Sequence, residues 1–441
     1  MKGFRARAAT IAGIGVMAGW LGGCGVPARV PVLAETGPHP AIPPPKPSLI
    51  PVMKVFPAKG WSGNETPSPA SDLNVRPFAT GLHHPRWLYV LPDGDVLVSE
   101  TNAPKRPDDA KGIKGFFFRL FQTRAGGGAP NENRLILLRD TNGDGIADIR
   151  TDFLTGLHSP FGVALVGSDL YVANTDAIVR YQYTAGETKI SSAGVKLVGL
   201  PGGRINHHWT KNVIASPDGT KLYASVGSNS NAAENGVAHE NGRAAIWEID
   251  RATGRHRVFA TGLRNPVGLA WEPDTRRLWA SVNERDELGA DLVPDYITAV
   301  KDGGFYGWPY SYYGRHIDHR IEPQRLDLVS RAVVPDYALG SHTSSLGLTW
   351  SGASAMPQRF REGMFVGQHG SWNRKPYSGY RVVFVPFRDG RPSGFPIDVL
   401  TGFITPSGEA MGRPVGVAIA KDGALLVADD GGNAVWRVSA R

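Results

Sequence analysis

The sequence is poor in the residues on which many redox and nucleic-acid-binding proteins depend. Its 441 residues include one cysteine, Cys24, which excludes an internal disulfide, a cysteine-rich zinc site, an iron–sulfur cluster and a covalently attached c-type haem. The formal net charge of +8 is mild for this length, and the chain has no long block of consecutive basic residues. A role in nucleic-acid binding is therefore not expected. Any redox cofactor must be held without cysteine ligands.

Long apolar runs are also missing, and the longest one lies at the N-terminus. Residues 8–20 follow three basic residues and are too few to span a bilayer, but they are typical of the apolar region of a signal peptide. The following Leu21-Gly22-Gly23-Cys24 resembles a bacterial lipobox. This resemblance implies a signal peptide over residues 1–24, a lipid on Cys24, and a periplasmic protein anchored to the membrane. The outer membrane is expected because Gly25 is not aspartate, and an ordinary signal peptide cut nearby is the alternative.

Residues 25–72 are rich in proline and include Pro43-Pro44-Pro45. Proline removes backbone donors and favours extended chain. The composition predicts a spacer that holds the rest of the protein away from a membrane.

From about residue 73 the chain repeats. The whole sequence has 55 glycines and 34 prolines and shows no sustained helical periodicity. Each repeating unit consists of a turn, an apolar strand, a second turn and a second apolar strand. The second strands of the six copies begin at Val96, Leu170, Leu222, Leu278, Met364 and Leu425. Six such copies predict an all-β fold, a six-bladed β-propeller over residues 73–441. An array of β-sandwiches is the alternative, although it would not bring the polar loops together.

In a propeller, the turn before each innermost strand and the loop after each second strand meet on one face. Most copies place histidine or arginine in the first position: His83, His84, His158, His207, His208, Arg264, His342 and Arg413. The second position adds carboxylates, amides and more cations: Glu100, Asp176, Asn229, Asp286, His369, Arg374, Lys375, Asp429 and Asp430. This mixture suits a flat polyanionic ligand together with a hard metal ion. Capping of turns by hydrogen bonds is the structural alternative.

Several motifs at these positions resemble the quinoprotein sugar dehydrogenases of the sorbosone dehydrogenase and soluble glucose dehydrogenase type. The matching stretches are His207-His208-Trp209-Thr210-Lys211-Asn212, Gly262-Leu263-Arg264-Asn265-Pro266-Val267-Gly268, Gly303-Gly304-Phe305-Tyr306-Gly307-Trp308-Pro309 and His369-Gly370-Ser371-Trp372-Asn373-Arg374. The resemblance covers about residues 73–441. It implies a six-bladed propeller that holds pyrroloquinoline quinone (PQQ) and Ca²⁺ and oxidises a sugar.

The resemblance also implies roles for individual residues. The family's catalytic base falls on His208, with His207 as the alternative, and a neutral imidazole suits that role near neutral pH. Arg264 matches the arginine that lies over the quinone and stabilises developing charge. Contacts to the cofactor are expected from Asn265, Arg374, Lys375, His342, His369, Trp372, His158, Ser159 and Arg413. The glucose branch has a glutamine near His158 and Ser159, so the sequence departs from the family there.

Two metal sites are candidates. The family's Ca²⁺ is held partly by backbone carbonyls, which correspond here to the segment Glu284-Arg285, with Asp286, Asp291 or Asp295 nearby, and the sequence leaves the choice of ligands open. The second candidate does not depend on the family. It is the loop Asp140-Thr141-Asn142-Gly143-Asp144-Gly145-Ile146-Ala147-Asp148, which places oxygen atoms as the first part of an EF-hand loop does. A hairpin turn rich in Asp and Asn is the alternative for that loop.

The function predicted from these observations is PQQ- and calcium-dependent oxidation of a sugar or sugar aldehyde. The sequence has no haem motif, so the electrons are expected to pass to an external acceptor, either a cytochrome or a quinone. Two other functions are open at this point. One is a calcium-dependent propeller lactonase, which would need acidic ligands on the axis but would have no use for Arg264 and Arg374. The other is a non-catalytic lipoprotein that binds a glycan or a protein.

Overall fold

The computed structural model describes residues 26–48, 52, 54–104 and 128–441. Cys24 and the predicted signal peptide lie outside the described residues. Six antiparallel sheets surround a central axis, which confirms the predicted six-bladed β-propeller. Within the described part of the chain, no helix has the length and apolar character needed to cross a membrane.

Each blade contains four main strands, ordered from the axis outward. Blade 1 contains Pro85–Val90, Val96–Glu100, Arg134–Arg139 and Ile149–Leu154. Blade 2 contains Val163–Val166, Asp169–Ala173, Ala177–Gln182 and Val195–Gly199. Blade 3 contains Val213–Ala215, Lys221–Val226, Ala245–Asp250 and His256–Thr261. Blade 4 contains Pro266–Glu272, Arg277–Val282, Pro294–Ala299 and Tyr337–Ser341.

The last two blades follow the same order, and blade 6 closes the ring. Blade 5 contains Ser345–Trp350, Gly363–Gln368, Arg381–Arg388 and Ile397–Thr401, with Arg391–Pro392 paired beside its third strand. Blade 6 contains Pro414–Ile419, Leu425–Asp429, Ala434–Ala440 and, from the other end of the chain, Leu73–Ala79. Because the first propeller strand completes the last blade, the ends of the ring are joined by a sheet.

The remaining elements are short. A hairpin formed by Ser311–Tyr312 and His316–Ile317 and a one-turn helix, Leu326–Val329, lie between the third and fourth strands of blade 4. Within the described ranges, three 3₁₀ turns are found at Val32–Glu35, Val237–Glu240 and Gln358–Phe360.

One apolar side chain from each blade fills the axis. These six residues form a single buried cluster, the axial plug: Trp87, Phe161, Trp209, Val267, Leu346 and Val415. In four blades the plug residue is followed by glycine, where the neighbouring inner strand passes very close. A Cβ atom on Gly347 would lie 2.2 Å from the Val415 carbonyl oxygen, and one on Gly268 would lie 2.6 Å from the Leu346 carbonyl oxygen. The plug therefore closes the axis and supports the polar loops that lie at one end of it.

The described part of residues 25–72 does not stand apart as the predicted spacer. Thr36–Gly37 adds a fifth strand to blade 4, and Ser68–Pro69 adds one to blade 5. Trp61 Nε1 donates to Asp429 Oδ2 at 2.7 Å. Proline is compatible with such edge strands because their outward backbone groups need no partner. A proline-rich composition therefore marks an extended chain here, and this chain packs against the propeller.

Glu35 ties this segment to blade 5. Its carboxylate is 1% exposed and accepts hydrogen bonds from Arg374 Nη1 at 2.8 Å and Arg374 Nη2 at 3.1 Å. We expect Glu35→Ala to lower the free energy of unfolding by about 3–5 kcal/mol, because it leaves Arg374 as a buried charge without its partner. Urea unfolding of the whole chain measures this change.

A matched control for Glu35→Ala is Asp72→Ala, which breaks the exposed ion pair with Arg359. Exposed pairs contribute little to stability, so that variant should unfold like the wild type. Equal effects of the two substitutions would contradict the packing role of Glu35.

Candidate active site

The two sets of predicted site residues lie at one end of the propeller, which we call the axial face. Each inner strand begins, and the second strand ends, at this end because the two strands are antiparallel. In the register of these two strands, Pro85 pairs with Glu100 in blade 1, Pro266 with Val282 in blade 4, and Pro414 with Asp429 in blade 6. The turns before the inner strands and the loops after the second strands therefore converge around the axis, above the axial plug.

His208 immediately precedes the plug residue of blade 3. Its Nδ1 lies 2.9 Å from the Ser228 carbonyl oxygen and 2.9 Å from Ser228 Oγ. A carbonyl oxygen can only accept, so Nδ1 carries the hydrogen and Nε2 is the basic nitrogen. Ser228 N in turn donates to the Arg264 carbonyl oxygen at 2.7 Å. One serine thus fixes the tautomer of His208 and links it to the turn that carries Arg264.

His207 does not receive this fixing contact from Ser228. Its ring packs edge-on against His208, with centroids 4.7 Å apart, and its backbone N donates to Asn229 Oδ1 at 3.5 Å. Asn265 lies on the other side of His208. A Cβ atom on Gly227 would lie 2.5 Å from His208 Cβ and 2.3 Å from Asn265 Oδ1. Between the two histidines, the geometry therefore favours His208 as a base, with Asn265 as its neighbour.

Arg264 is buried beside this pair and uses most of its donors within the protein. Its Nε and Nη2 donate to the carbonyl oxygen and Oδ1 of Asn231 at 3.1 and 2.9 Å. Nη1 donates to the carbonyl oxygens of Asn283 at 3.1 Å and Glu284 at 2.7 Å. The guanidinium thus holds the loops of blades 3 and 4 together and brings a positive charge to the axial face, with one N–H remaining on Nη2. Its role over a quinone stays a prediction.

Asp286 joins blade 4 to blade 5. Its Oδ1 accepts from Asn373 Nδ2 at 2.8 Å and lies 3.1 Å from His342 Nδ1, while His342 Nε2 lies 2.9 Å from the Gly289 carbonyl oxygen. Both ring nitrogens face acceptors, so His342 is held as a cation. Burial opposes this charge, but the hydrogen bond and the negative charge of Asp286 outweigh it and raise the pKa of His342.

A second charged group, the Asp430 cluster, joins blades 5, 6 and 1. Asp430 accepts from Arg86 Nη1 at 2.5 Å and from His369 Nε2 at 2.9 Å, and His84 Nε2 lies 3.6 Å away. Burial lowers the pKa of His84 and of His369, although Asp430 acts in the opposite direction. The three cationic or imidazole groups hold the pKa of Asp430 well below its usual range despite its burial.

Unpartnered buried atoms at the axial face allow the fit of PQQ to be tested. Among the described side chains, Arg86 Nε and Arg413 Nη2 are buried donors without a hydrogen-bond partner, and Asn265 Oδ1 and Asn373 Oδ1 are buried acceptors without one. Such groups are uncommon in folded proteins and point to a missing partner. The two guanidinium donors suit carboxylates, and the two amide oxygens suit a metal ion or an N–H donor. The residues present therefore fit a flat acidic quinone.

The structure places Arg374 in a buried ion pair. Its guanidinium is 1% exposed, and Glu35 neutralises it within the protein. Arg374 Nε is nevertheless buried without a hydrogen-bond partner among the described residues, so a contact of Arg374 with the cofactor stays a prediction. The neighbouring Lys375 is exposed, and its carbonyl oxygen accepts from Ala28 N at 2.9 Å. Trp372 lines a small cavity with His342 and Asn373, which places it beside the axial face, and the cofactor contacts of Lys375 and Trp372 stay predictions.

In blade 2, the observed contacts are those of a turn. His158 is more than half exposed, and its Nδ1 lies 2.9 Å from Asp176 Oδ2. Ser159 Oγ accepts from Asn131 Nδ2 at 2.7 Å. Cofactor contacts from His158 and Ser159 stay predictions, as do those from His369 and Arg413 on the opposite side.

Most of the predicted metal ligands of blade 4 are engaged elsewhere. Asp291 accepts from the backbone N of Arg29 at 2.9 Å, and Asp295 accepts from the backbone N of Glu284 and Ser345 at 2.8 and 2.7 Å. Burial raises the pKa of Asp295 to about 6, although these hydrogen bonds lower it.

The side chains of Glu284 and Arg285 pair with each other at 3.1 Å, and Arg285 also donates to Asp318 at 3.0 Å. Over the described ranges, no group of three or more His, Cys, Asp and Glu side chains is arranged to hold a metal. Only Asp286 of this set takes part in the axial face.

The loop at residues 140–148 forms the turn that was the alternative to a calcium site. Asp140 accepts from Gly143 N at 2.8 Å and Asp144 accepts from Ile146 N at 2.8 Å. Asn142 Oδ1 accepts from Asp144 N at 2.8 Å, and Asp148 Oδ2 accepts from Thr141 N at 2.8 Å. The side-chain oxygens thus close the loop by hydrogen bonds, and Ca²⁺ binding there stays a prediction.

Sequence reasoning missed Arg86, Asn231 and Lys211. Arg86 occupies the position before the plug residue, which His208 occupies in blade 3 and proline occupies in blades 2, 4 and 6. This exception is a usable signal once the plug is known. Lys211 is 0% exposed, and its Nζ donates to the carbonyl oxygens of His208 and Trp209 at 3.3 and 3.2 Å. Burial lowers the pKa of Lys211 well below its usual range.

Comparison with known proteins identifies the family. A family model described as TrAA12-like matches residues 135–298 and 328–441. The chain belongs to the TrAA12-like family. This membership confirms the resemblance to PQQ-dependent sugar dehydrogenases and the assignment to the oxidoreductases that the sequence motifs predicted.

Solved structures support the fold of this TrAA12-like chain. The holo PQQ domain of pyranose dehydrogenase from Coprinopsis cinerea is 20% identical, with a TM-score of 0.68 over 86% of this chain and 98% of that chain. A calcium structure of the family AA12 enzyme from Trichoderma reesei is 18% identical, with a TM-score of 0.68 over 88% of this chain and 99% of that chain. At these identities the likeness establishes the fold.

Sequence relatives of the TrAA12-like chain are distant. An uncharacterized protein of Borreliella burgdorferi is 25% identical over 292 residues, which are 64% of this chain and 76% of the relative. The aldose sugar dehydrogenase YliI of Escherichia coli is 25% identical over 120 residues, 27% of this chain and 30% of that protein.

Proposed function

We propose that the protein oxidises a sugar or sugar aldehyde with PQQ held at the axial face. The observation that supports this most strongly is the combination, in one ring, of a fixed base and buried guanidinium N–H groups without hydrogen-bond partners. His208 presents a basic Nε2, and Arg86 and Arg413 present buried donors without partners. The family and the structural neighbours agree with this chemistry, since one neighbour is the holo PQQ domain of a pyranose dehydrogenase.

The residues proposed to hold PQQ surround the axis. Arg86 and Arg413 would face its carboxylates, and His369 would lie beside them through Asp430. Asn265 and Arg264 would border the side next to His208. When bound, PQQ supplies the two-electron acceptor to which the hydride from the sugar carbon passes. The axial plug beneath this ring excludes water from one face of the site.

His208 would accept the proton of the sugar hydroxyl. Oxidation of a C–H and O–H pair to a carbonyl releases a hydride and a proton, and only the proton needs a protein base. The Ser228 carbonyl keeps the hydrogen of neutral His208 on Nδ1, so Nε2 is the nitrogen that would accept the proton. After proton transfer, the same carbonyl stabilises the imidazolium by continuing to accept from Nδ1.

We propose that Ca²⁺ binds beside Asp286. Its carboxylate and the unpartnered Asn373 Oδ1 are adjacent oxygen donors at the axial face, and Ca²⁺ prefers such ligands. Backbone oxygens or the cofactor itself would complete the coordination, since the described residues offer no cluster of three acidic or imidazole side chains.

We also propose that the protein is a periplasmic lipoprotein held by a lipid on Cys24, with the outer membrane as its site. The support is the lipobox-like Leu21-Gly22-Gly23-Cys24 after a short apolar run. A separate electron acceptor, a cytochrome or a quinone, would be the partner of the protein, because the chain has no haem motif.

The experiment adds PQQ and Ca²⁺ to the purified cofactor-free chain and follows dye reduction with a panel of aldoses, sugar aldehydes and polyols. Dye reduction that requires PQQ, Ca²⁺ and one class of sugar is the expected result. Omission of each component is the control. A shifted quinone spectrum without turnover would contradict the enzyme and favour a binding protein. Hydrolysis of lactones by the PQQ-free, Ca²⁺-loaded chain would instead identify a lactonase.

A further inference from the structure

The first described residues of the chain lie beside the axial face. Val26, Lys46 and Trp372 line a small cavity together with His342 and Asn373, and Asn373 bonds to Asp286 of the candidate site. Ala28 N donates to the Lys375 carbonyl oxygen at 2.9 Å, and Arg29 N donates to Asp291 at 2.9 Å. The start of the described chain is therefore anchored at the edge of blades 4 and 5, on the side of the propeller that bears the candidate site.

The surface at this edge is basic and partly apolar. We call it the N-terminal patch, and its exposed members are Val26, Arg29, Lys46, Lys54, Lys375 and Tyr377. Contacts join them: Lys54 N donates to the Trp372 carbonyl oxygen at 2.8 Å, Lys54 Nζ lies 5.3 Å from the Phe56 ring centre, and Phe56 packs 5.1 Å from Tyr377. Val26 is 43% and Tyr377 42% exposed. Two acidic side chains border the patch, Glu287 in the small cavity and Asp291 under Arg29.

We propose that the N-terminal patch docks on a membrane surface that contains anionic phospholipids, with the axial face toward the bilayer. This inference rests on the proposed lipid anchor at Cys24. Cys24 is two residues from Val26 in the sequence, and two residues of extended chain span at most about 7 Å. A lipid on Cys24 would thus hold the patch at the headgroups, whereas a free spacer would hold the protein at a distance. The proline-rich segment packs on the propeller, so it does not act as such a spacer.

The charge and the apolar character of the N-terminal patch suit a membrane surface that contains anionic phospholipids. The four cations on this edge attract anionic headgroups. Each Lys or Arg near the surface strengthens membrane binding about fivefold. Amphipathic aromatic side chains such as Tyr377 suit the interface between headgroups and acyl chains. A lipid anchor combined with a basic patch binds membranes more stably than either alone. Docking would place the edge of blades 4 and 5, next to His342 and Asp286, nearest the bilayer.

The first test reads the orientation of the lipidated chain. Lipidation consumes the thiol of Cys24, so Arg29→Cys introduces a unique reactive thiol in the patch. Phe395→Cys is the matched control, because Phe395 is 57% exposed in the loop at the opposite end of blade 5. After labelling with an environment-sensitive dye and reconstitution in phosphatidylethanolamine–phosphatidylglycerol vesicles, the dye at position 29 should be protected from aqueous quencher at least fivefold more than the dye at position 395. Equal quenching would overturn the proposal.

The second test uses the unlipidated Cys24→Ser chain and does not depend on the anchor. Sedimentation with phosphatidylglycerol vesicles should weaken about fivefold for each of Arg29→Gln and Lys54→Gln. Lys301→Gln and Arg391→Gln, exposed at the opposite end of blades 4 and 5, should leave binding unchanged. Equal effects at the two ends would refute the patch. Binding to native membranes but not to pure lipid vesicles would assign the surface to a protein partner and overturn the proposal.

These results are separable from the proposed function. Mass spectrometry of Cys24 reports the lipid, dye reduction with PQQ reports the enzyme, and vesicle binding reports the patch. Arg29→Gln and Lys54→Gln lie outside the proposed catalytic and cofactor contacts, so their dye reduction in solution should match that of the unsubstituted chain. Loss of vesicle binding with full dye reduction supports the patch, whereas loss of both would show unfolding, which circular dichroism detects.

Discussion

Replacing His208 by alanine should reduce turnover of the PQQ-loaded protein by two to four orders of magnitude and leave PQQ bound. General-base catalysis contributes about 10²- to 10⁴-fold to enzymatic rates, and the contact of His208 Nδ1 with the Ser228 carbonyl makes Nε2 its basic nitrogen. PQQ should remain because the proposed contacts to its carboxylates come from Arg86 and Arg413 on blades 1 and 6. Stopped-flow reduction of the bound quinone by the best sugar measures the rate, and equilibrium titration measures PQQ affinity.

Two matched variants sharpen this test. His256→Ala removes an exposed histidine from the outer strand of blade 3 and should leave turnover within a few-fold of the wild type. His207→Ala removes the ring that packs against His208 at 4.7 Å, so a smaller loss through positioning is expected. If His207→Ala abolishes turnover and His208→Ala does not, the base is His207, the alternative that the sequence left open.

Ser228 offers a further internal check on this argument. Its carbonyl is part of the backbone and its hydroxyl donates to the Ser230 carbonyl oxygen at 2.6 Å. Ser228→Ala keeps the carbonyl that accepts from His208 Nδ1, so the tautomer should persist and most of the turnover with it.

The propeller could be predicted from the sequence because its signals are local. Each blade repeats a turn, an apolar strand and a polar ending within one stretch of chain, and the second strands predicted at Val96, Leu278 and Leu425 lie within observed strands. Ring closure then fixes which loops converge, so the axial face followed from the fold. The identity of His208 as a candidate base depended on the family motif, and its orientation depended on Ser228.

Charge partners could not be predicted because they are set by contacts between distant parts of the chain. Arg374 is neutralised by Glu35, 339 positions away, and Arg86 is paired with Asp430, 344 positions away. A sequence pattern shows that a cation is present at a loop, but the ligand it serves depends on what else packs beside it. The same reason explains why the proline-rich segment was predicted as a spacer: its composition indicates extended chain and contains no signal for the surface on which that chain packs.

Replacing Asp430 tests the role of the Asp430 cluster in stability and in cofactor binding. Asp430→Asn should lower the free energy of unfolding of the PQQ-free protein by about 3–5 kcal/mol, because Arg86 then lies buried without a counter-charge. The side chain of Asp430 is 2% exposed and Arg86 Nη1 lies 2.5 Å from it. PQQ carboxylates would replace the missing negative charge, so added PQQ should stabilise the variant more than the wild type. Thermal unfolding with and without PQQ measures both effects.

Asp429→Asn is the matched control. Asp429 is equally buried, but it accepts from neutral donors, namely Trp61 and Trp436 Nε1 and the backbone N of Arg413 and Gly432. That variant should also be destabilised, since an amide cannot accept all of these bonds, yet PQQ should stabilise it no more than it stabilises the wild type. An equal gain from PQQ in both variants would show that Asp430 does not compete with the cofactor for Arg86.

The pH dependence gives an independent measure of the same cluster. Burial lowers the folded-state pKa of His84 and His369 below the ordinary value of 6.5, so below about pH 6.5 the unfolded chain binds more protons and stability falls as the pH falls. Asp430 favours the protonated imidazoles, so its removal lowers the pKa of both histidines further and extends this loss to more acidic pH. The difference in unfolding free energy between wild type and Asp430→Asn should therefore widen as the pH falls through the folded-state pKa of His84 and His369 in the wild type, as urea unfolding at several pH values can measure. A difference in unfolding free energy that does not change with pH would mean that His84 and His369 titrate independently of Asp430. The two histidines and Asp430 would then not form one coupled cluster.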